Sequence, residues 1–256
     1  MKKNIKQINE ISWTAITNNG DISKGEKKRF DYEHDYVKKY NINGSLSEAK
    51  FYKIDGTLLY NSFYKYDQEG NKIEEITIHN DGQKNRCIWI YDPNGNEVEK
   101  AFYVKGSLIY NAYRAYSENG RKVESVVHNS YNQKSKTVWI NDEYGNNIEM
   151  LEYDYDGSLD FKRISKYDSR GNVIEWAHYN QDGSLESRYK RKFDSWDNVI
   201  EWIIVYDSDL NEGDCLKKSW TYNYDKSNNW IEKKYFENNV PKGILEREII
   251  YYDPNF

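Results

Sequence analysis

The sequence predicts an all-β protein: tandem antiparallel β-hairpin repeats forming a coiled single-layer sheet or a broad β-shell. Three observations carry that prediction. An aromatic residue is followed four positions later by glycine, again and again: Tyr40 and Gly44, Tyr52 and Gly56, Tyr66 and Gly70, Tyr91 and Gly95, Tyr116 and Gly120, Tyr153 and Gly157, Tyr167 and Gly171, Tyr179 and Gly183. The segments between are strand-length and rich in Ile, Val, Tyr, Trp and Thr, as in Arg86-Cys-Ile-Trp-Ile-Tyr91. No segment shows a helical apolar stripe. A short fixed period means one small unit stacked many times.

The turn comes first. In Tyr91-Asp-Pro-Asn-Gly95, Asp92 bonds its own turn backbone, Pro93 presets φ, and Gly95 takes a left-handed φ. That is a type I turn followed by a glycine bulge. It sets an expected register in which Asp92 faces Asn96, Tyr91 faces Glu97, Ile90 faces Val98 and Trp89 faces Glu99.

Two turn types alternate. One carries Gly-Asn (Gly70, Gly95, Gly145, Gly171); the other carries Gly-Ser-Leu or Gly-Thr-Leu (Gly56, Gly106, Gly157, Gly183). A longer period pairs Gln83-Lys-Asn-Arg-Cys-Ile-Trp-Ile with Gln133-Lys-Ser-Lys-Thr-Val-Trp-Ile. On the order of sixteen to eighteen strands in meander order are expected. The whole chain reads as one repeat domain, residues 1–256, of which 1–29 are a worn first repeat. So many twisted strands coil or close, and a propeller needs a longer repeat. Terminal strands would be free edges.

Composition bounds the function. Mean hydropathy is −1.03, yet 25 Tyr and 8 Trp supply an aromatic, hydrogen-bonded interior. The net charge of −5 with interspersed signs argues against a nucleic-acid binder, which needs a concentrated basic face. Two cysteines, Cys87 and Cys215, imply no disulfide framework. The N-terminus has no apolar run of signal-peptide type, and no stretch reaches transmembrane-helix length. A cytoplasmic protein without membrane insertion is therefore expected.

Tyr66-Asp-Gln-Glu-Gly-Asn-Lys-Ile-Glu, Tyr91-Asp-Pro-Asn-Gly-Asn-Glu-Val-Glu and Tyr167-Asp-Ser-Arg-Gly-Asn-Val-Ile-Glu resemble bacterial YD repeats of the Rhs type, over roughly residues 30–256. The resemblance implies a spiralling β-sheet shell or strip. It also implies, by class, enclosure of a toxic polypeptide, adhesion or carbohydrate contact, although this chain falls short of an enclosing shell. A weaker likeness is to short tyrosine-glycine repeat proteins described as antitoxin-like.

The candidate chemistry is spread along the repeat. A glutamate recurs after the turn at Glu48, Glu74, Glu99, Glu124, Glu149, Glu175, Glu201 and Glu232. These would form a row two strand spacings apart, roughly 9 to 10 Å. The row is either an acidic track for a cation or basic partner, or a set of cross-strand partners, with Glu149 facing Trp139 and Glu124 facing Arg114. His79 and His128 fall in anchor slots, His178 adjoins one, and His34 lies in an irregular unit. None has metal-ligand spacing, so neither metal nor cofactor is expected. Asp-rich turns such as Asp154-Tyr-Asp156 fit no calcium motif. Trp89, Trp139, Trp176 and Trp202 form columns that are either core or a ladder for a sugar or a partner's apolar patch. Together with Glu99 and Glu149, these tryptophans are the candidate binding residues.

The expected function is a non-catalytic interaction protein that binds a protein partner through a curved β-surface, of antitoxin or immunity type. The alternative is a carbohydrate-binding repeat protein. An enzyme ranks below both, because catalysis needs a local constellation that breaks the repeat. The main irregularity is the acidic loop from Tyr206 to Leu216.

Overall fold

The computed structural model describes residues 4–28, 35–131, 133–205 and 215–253. His34 and the greater part of the acidic loop lie outside them. Among the described residues there are nineteen β-strands and no helix. The first are β1 (Ile5–Asn18), β2 (Asp21–Lys27), β3 (Asp35–Tyr40), β4 (Leu46–Tyr52), β5 (Leu58–Tyr66), β6 (Lys72–His79) and β7 (Lys84–Tyr91). Next come β8 (Glu97–Val104), β9 (Ser107–Tyr116), β10 (Lys122–Asn129), β11 (Lys134–Asn141), β12 (Asn147–Tyr153) and β13 (Leu159–Tyr167). The last are β14 (Val173–Asn180), β15 (Leu185–Phe193), β16 (Val199–Val205), β17 (Leu216–Tyr224), β18 (Trp230–Glu237) and β19 (Val240–Tyr251).

The repeated turn forms as the sequence predicts. Gly95 adopts φ 81°, its N–H donates to Asp92 O at 3.0 Å, and Asp92 N–H donates to Asn96 O at 2.9 Å. The residue after the glycine closes the turn. Asp92 Oδ1 accepts the N–H groups of Asn94 and Asn96, while Oδ2 accepts Asn96 Nδ2 at 2.9 Å. The same aspartate–asparagine clamp recurs at Asp67 and Asn71, Asp142 and Asn146, and Asp168 and Asn172. Where glycine is missing, Asp197 (φ 61°) and Asn228 (φ 59°) take its place, the residue types that best tolerate left-handed backbone. A third turn type was not foreseen. Asn19–Gly20, Lys105–Gly106 and Asn238–Asn239 each have two successive positive φ values, the signature of a two-residue type I′ turn. Gly106 thus belongs with these and not with Gly56.

Past the turn the register differs from expectation by one residue. Lys65 faces Glu74 and Tyr66 faces Lys72, leaving Ile73 unopposed. Likewise Ile140 faces Glu149 and Asn141 faces Asn147, leaving Ile148 unopposed. An extra residue on the returning strand is a β-bulge, and it flips every later side chain relative to a bulge-free ladder. Glu149 therefore faces Ile140, and Trp139 faces Met150. Glu124 faces Ala115, and Arg114 faces Ser125. The expected Glu149–Trp139 and Glu124–Arg114 pairs are corrected accordingly. Lys100, the residue after Glu99, places its Nζ 5.6 Å from the Trp89 ring.

The anchor tyrosine has a bonding role beyond packing. Tyr66 Oη donates to Leu46 O at 2.9 Å, Tyr116 Oη to Glu97 O at 2.8 Å, and Tyr167 Oη to Asn147 O at 2.7 Å. Each acceptor lies two residues past the last turn glycine but one (Gly44, Gly95 and Gly145), so the phenol stitches neighbouring strands at the end where no loop joins them. Asn141 fills an anchor slot and does the same with its amide, donating to Lys122 O at 3.1 Å.

All nineteen strands belong to one antiparallel sheet. β1 pairs with the last strand, β19, from Ile5 to Thr14, and with β3 from Gln7 to Glu10. The order of pairing therefore returns to its start. β2 pairs with the distal part of β1, beyond the β3 ladder. That return corrects two expectations, the coiled open sheet and the free terminal edges. The physical reason is that a worn first repeat still offers a full-length strand, and pairing it satisfies backbone groups on both β3 and β19.

By contacts the chain divides into two units: Met1–Ile88, Val104–Gly106 and Trp220–Phe256 form one, and Trp89–Tyr103 with Ser107–Ser219 the other. The first unit has a core of Ile5, Ile8, Tyr36 and Tyr40 packed with Leu46, Phe51 and Ile249. Beside it, Tyr36 Oη and Arg247 Nε both donate to Glu10 at 2.7 Å. Burial, then the charge of Glu10, pushes the Tyr36 phenol far above its ordinary pKa. In the second unit the buried positions are mostly small: Ala112, Ser125, Ser165, Ala177 and Ser187, with Ile204 and Trp89.

Candidate binding face

The bulge sorts the candidate residues onto opposite faces of the sheet. Most of the recurring glutamates form ion pairs on a charged face. Glu48 meets Lys39 at 2.8 Å, Glu124 meets Lys136 at 2.6 Å, Glu149 meets Lys162 at 3.0 Å and Glu175 meets Lys166 at 3.1 Å. Glu74 bridges Lys65 and Arg86, and Glu201 bridges Lys192 and Lys217. Hydrogen bonds from Lys39, Lys65 and Lys192 are the leading causes that hold Glu48, Glu74 and Glu201 below the usual carboxylate range. Glu99 is half-buried on β8.

The tryptophans lie on the other face, and a cation accompanies each. Trp89 is 9% exposed and has Lys100 over it. Trp139 is half-buried, with Lys122 Nζ 4.0 Å from its ring centroid. Desolvation, with the nearby charge of Arg114, lowers the Lys122 pKa. Trp176 and Trp202 come together, with ring centroids 6.0 Å apart.

Two residues not foreseen from the sequence complete that cluster. Tyr189 stacks on Trp176 at 4.7 Å with an interplanar angle of 8°. Arg191 places its guanidinium carbon 4.4 Å from the Trp176 centroid and 4.8 Å from that of Trp202, a double cation–π contact. The register explains the meeting: Trp176 faces Tyr189, and Arg191 faces Trp202. His178 extends the cluster, 5.7 Å from Tyr189 and 5.5 Å from Phe161. Arg163 faces His178, whose pKa is lowered by desolvation first and by Arg163 second.

The polar atoms here are incompletely served. Arg163 Nε, Arg191 Nε and Trp202 Nε1 are buried and have no hydrogen-bond partner among the described residues. A buried donor without an acceptor costs about 1–3 kcal/mol, and such groups in a folded protein call for an explanation. A correct bulge register would have revealed the site from the sequence, because it places Arg191 beside Trp202 and Trp176.

The histidines act as aromatic neighbours. His79 contacts Tyr60 at 5.7 Å, and His128 meets Tyr113 edge-on at 6.0 Å. His79 is also one place later than expected: it opens its turn, accepting Gly82 N–H at 2.9 Å on its carbonyl.

Neither a family model nor a curated protein matches this chain. Solved structures do. A porin-like protein from Bacteroides uniformis is matched over 96% of this chain and 98% of that chain, at 8% identity and TM-score 0.47. A porin-like protein from Bacteroides vulgatus is matched over 98% and 99%, at 12% identity and TM-score 0.23. TcdB2-TccC3 without its hypervariable C-terminal region is matched over 89% of this chain at 10% identity and TM-score 0.29, the match spanning 17% of that much longer chain.

Two expectations about cellular place are corrected at this point. The exclusion of membrane insertion and the cytoplasmic placement both rested on the lack of long apolar runs. No helix here is long and apolar enough to cross a membrane, but that criterion does not bear on strands. A sheet whose pairing closes in a ring is the β architecture that a bilayer accepts, because it leaves no unpaired edge.

Proposed function

We propose that the chain is a non-catalytic interaction protein built on the YD-repeat plan, and that it binds a polypeptide partner along its aromatic face. The observation that carries this reading is the contrast between the two faces. Seven of the eight recurring carboxylates are met by lysine or arginine, so they serve the sheet. The aromatic face of β13–β16 keeps rings half-exposed and donors unmet. A repeat presents such groups at regular strand spacing, which suits an extended partner better than a small substrate. The phenol stitch and the aspartate–asparagine turn clamp support the YD-repeat assignment, and an antitoxin or immunity role belongs to the same reading.

The test is site-specific photo-crosslinking in the native cell. A photoreactive residue at Trp139 should yield one discrete protein adduct, and the same residue at Ile78, on the charged face, should yield none. No adduct from Trp139, together with retention of the chain by an immobilised glycan panel, would favour the carbohydrate-binding alternative.

A further inference from the structure

The strongest unabsorbed feature is the charge balance of the aromatic face across β13–β16. Cross-strand pairing places Phe161, Arg163, Ser165, Trp176, His178, Ser187, Tyr189, Arg191, Trp202 and Ile204 on that face. These ten include two arginines and no carboxylate, and Glu152 of the neighbouring β12 faces Phe161 at the margin. Two carboxylates of the same strands, Glu175 and Glu201, project to the other face and are paired there with Lys166, Lys192 and Lys217, while the exposed Glu186 of β15 reaches His178 with its charge. Arg163 and Arg191 make no hydrogen bond and no ion pair among the described residues. Three other arginines do meet a carboxylate: Arg114 pairs with Glu97, Arg86 with Glu74, and Arg247 with Glu10.

We infer that Arg163, Arg191 and Trp202 form a subsite for carboxylate side chains of an acidic, extended polypeptide. Arg191 packs against two adjacent indoles, which orients the guanidinium and leaves its remaining donors to receive a carboxylate in the forked geometry arginine favours. Trp202 Nε1 adds a neutral donor beside it. Arg163 lies two strands away and four residues along the ladder, roughly 16 Å by strand geometry. One small anion cannot meet both; a chain with acids at intervals can. Tyr189 and His178 lie between the two arginines and would cover the intervening backbone. The inference rests on the polypeptide-binding reading and names the chemistry of the partner segment.

The probe is an oligoglutamate peptide titrated against the full chain, followed by tryptophan fluorescence at low and high salt. Binding should weaken with salt and fall by at least about tenfold in Arg163→Gln/Arg191→Gln, equivalent to about 1.4 kcal/mol. Lys166→Gln/Lys192→Gln removes two charges from the opposite face of the same strands and should leave affinity within about twofold, a change of under about 0.5 kcal/mol. Circular dichroism melting confirms that each variant is folded. Absence of binding by the unaltered chain overturns the inference, as does an equal loss in the two double variants. Arginine-dependent binding of polygalacturonate without binding of oligoglutamate overturns the polypeptide in favour of an acidic glycan. If the photo-crosslinked partner is captured equally by the unaltered chain and by Arg163→Gln/Arg191→Gln, the subsite fails while the wider reading stands.

Discussion

The phenol of Tyr252 donates a hydrogen bond of 2.6 Å to the main-chain carbonyl of Tyr40. These residues are 212 positions apart, yet the bond is of the same kind as Tyr66 to Leu46 and Tyr167 to Asn147. The interaction that joins neighbouring hairpins thus also ties the end of the chain to β3, beside the strand β1 that both β3 and β19 pair with. Tyr252 N–H adds a bond of 2.7 Å to Asn4 O.

Removing the hydroxyl isolates this contribution. Tyr252→Phe, Tyr66→Phe, Tyr116→Phe and Tyr167→Phe should each cost about 1 kcal/mol of stability in urea unfolding, the net value of one partly buried hydrogen bond. Phe193 occupies the same slot without a hydroxyl, so Phe193→Leu tests packing alone and should separate the two effects.

The turn glycines are limited by conformation and not by space. A Cβ at Gly95 would meet nothing within 4 Å, and its φ is +81°. Gly95→Ala should therefore cost about 1–2 kcal/mol through left-handed backbone strain. Gly95→Asn should cost less, as the natural Asn228 at φ 59° indicates. Differential scanning calorimetry of both variants gives the comparison.

The turn aspartates should make the fold acid-sensitive. Hydrogen bonds from Asn71, Asn96 and Asn146 side chains lead the causes that hold Asp67, Asp92 and Asp142 below the usual carboxylate range. For Asp168 the backbone N–H of Asn172 leads. A carboxylate with a depressed folded-state pKa stabilises the fold above its unfolded value, about 3.9 for aspartate. That stabilisation is lost as pH falls through the lower folded value. Stability should fall below about pH 4, and Asn71→Ala/Asn96→Ala/Asn146→Ala should flatten the slope measured by urea unfolding across pH.

Among the glutamates, burial should rank the effects. Glu74 is 8% exposed and bridges two cations, whereas the side chain of Glu124 is 38% exposed with one partner. Glu124→Gln should change stability by less than about 0.5 kcal/mol, the range of exposed pairs. Glu74→Gln should cost about 1–2 kcal/mol, because two cations lose a largely desolvated partner. Paired melting curves of the two variants decide it.

The strands and most turns were legible because Tyr, Asp and Gly recur at positions where backbone geometry demands them. The register was not. The bulged residue is an ordinary Ile or Val, such as Ile73 or Ile148, and resembles its paired neighbours. That one-residue error placed Glu149 opposite Trp139 and hid the meeting of Arg191 with Trp176 and Trp202. Closure was illegible for another reason. The contact of Ile8 with Ile249 has no local signature, and the Tyr252 phenol gives no sign of its acceptor when only the sequence is read. The aromatic columns themselves were visible; their cation partners Lys122 and Arg191 were not, because cations are common throughout the chain.

Hydrogen–deuterium exchange of β1 and β19 tests the central claim, that the first and last strands share one ladder. In a ring, the amides of residues 7–10 and 245–250 exchange as slowly as those of the interior strands β5 and β6. Exchange of β1 and β19 at the fast rates of open sheet edges, with β5 and β6 protected, would contradict it.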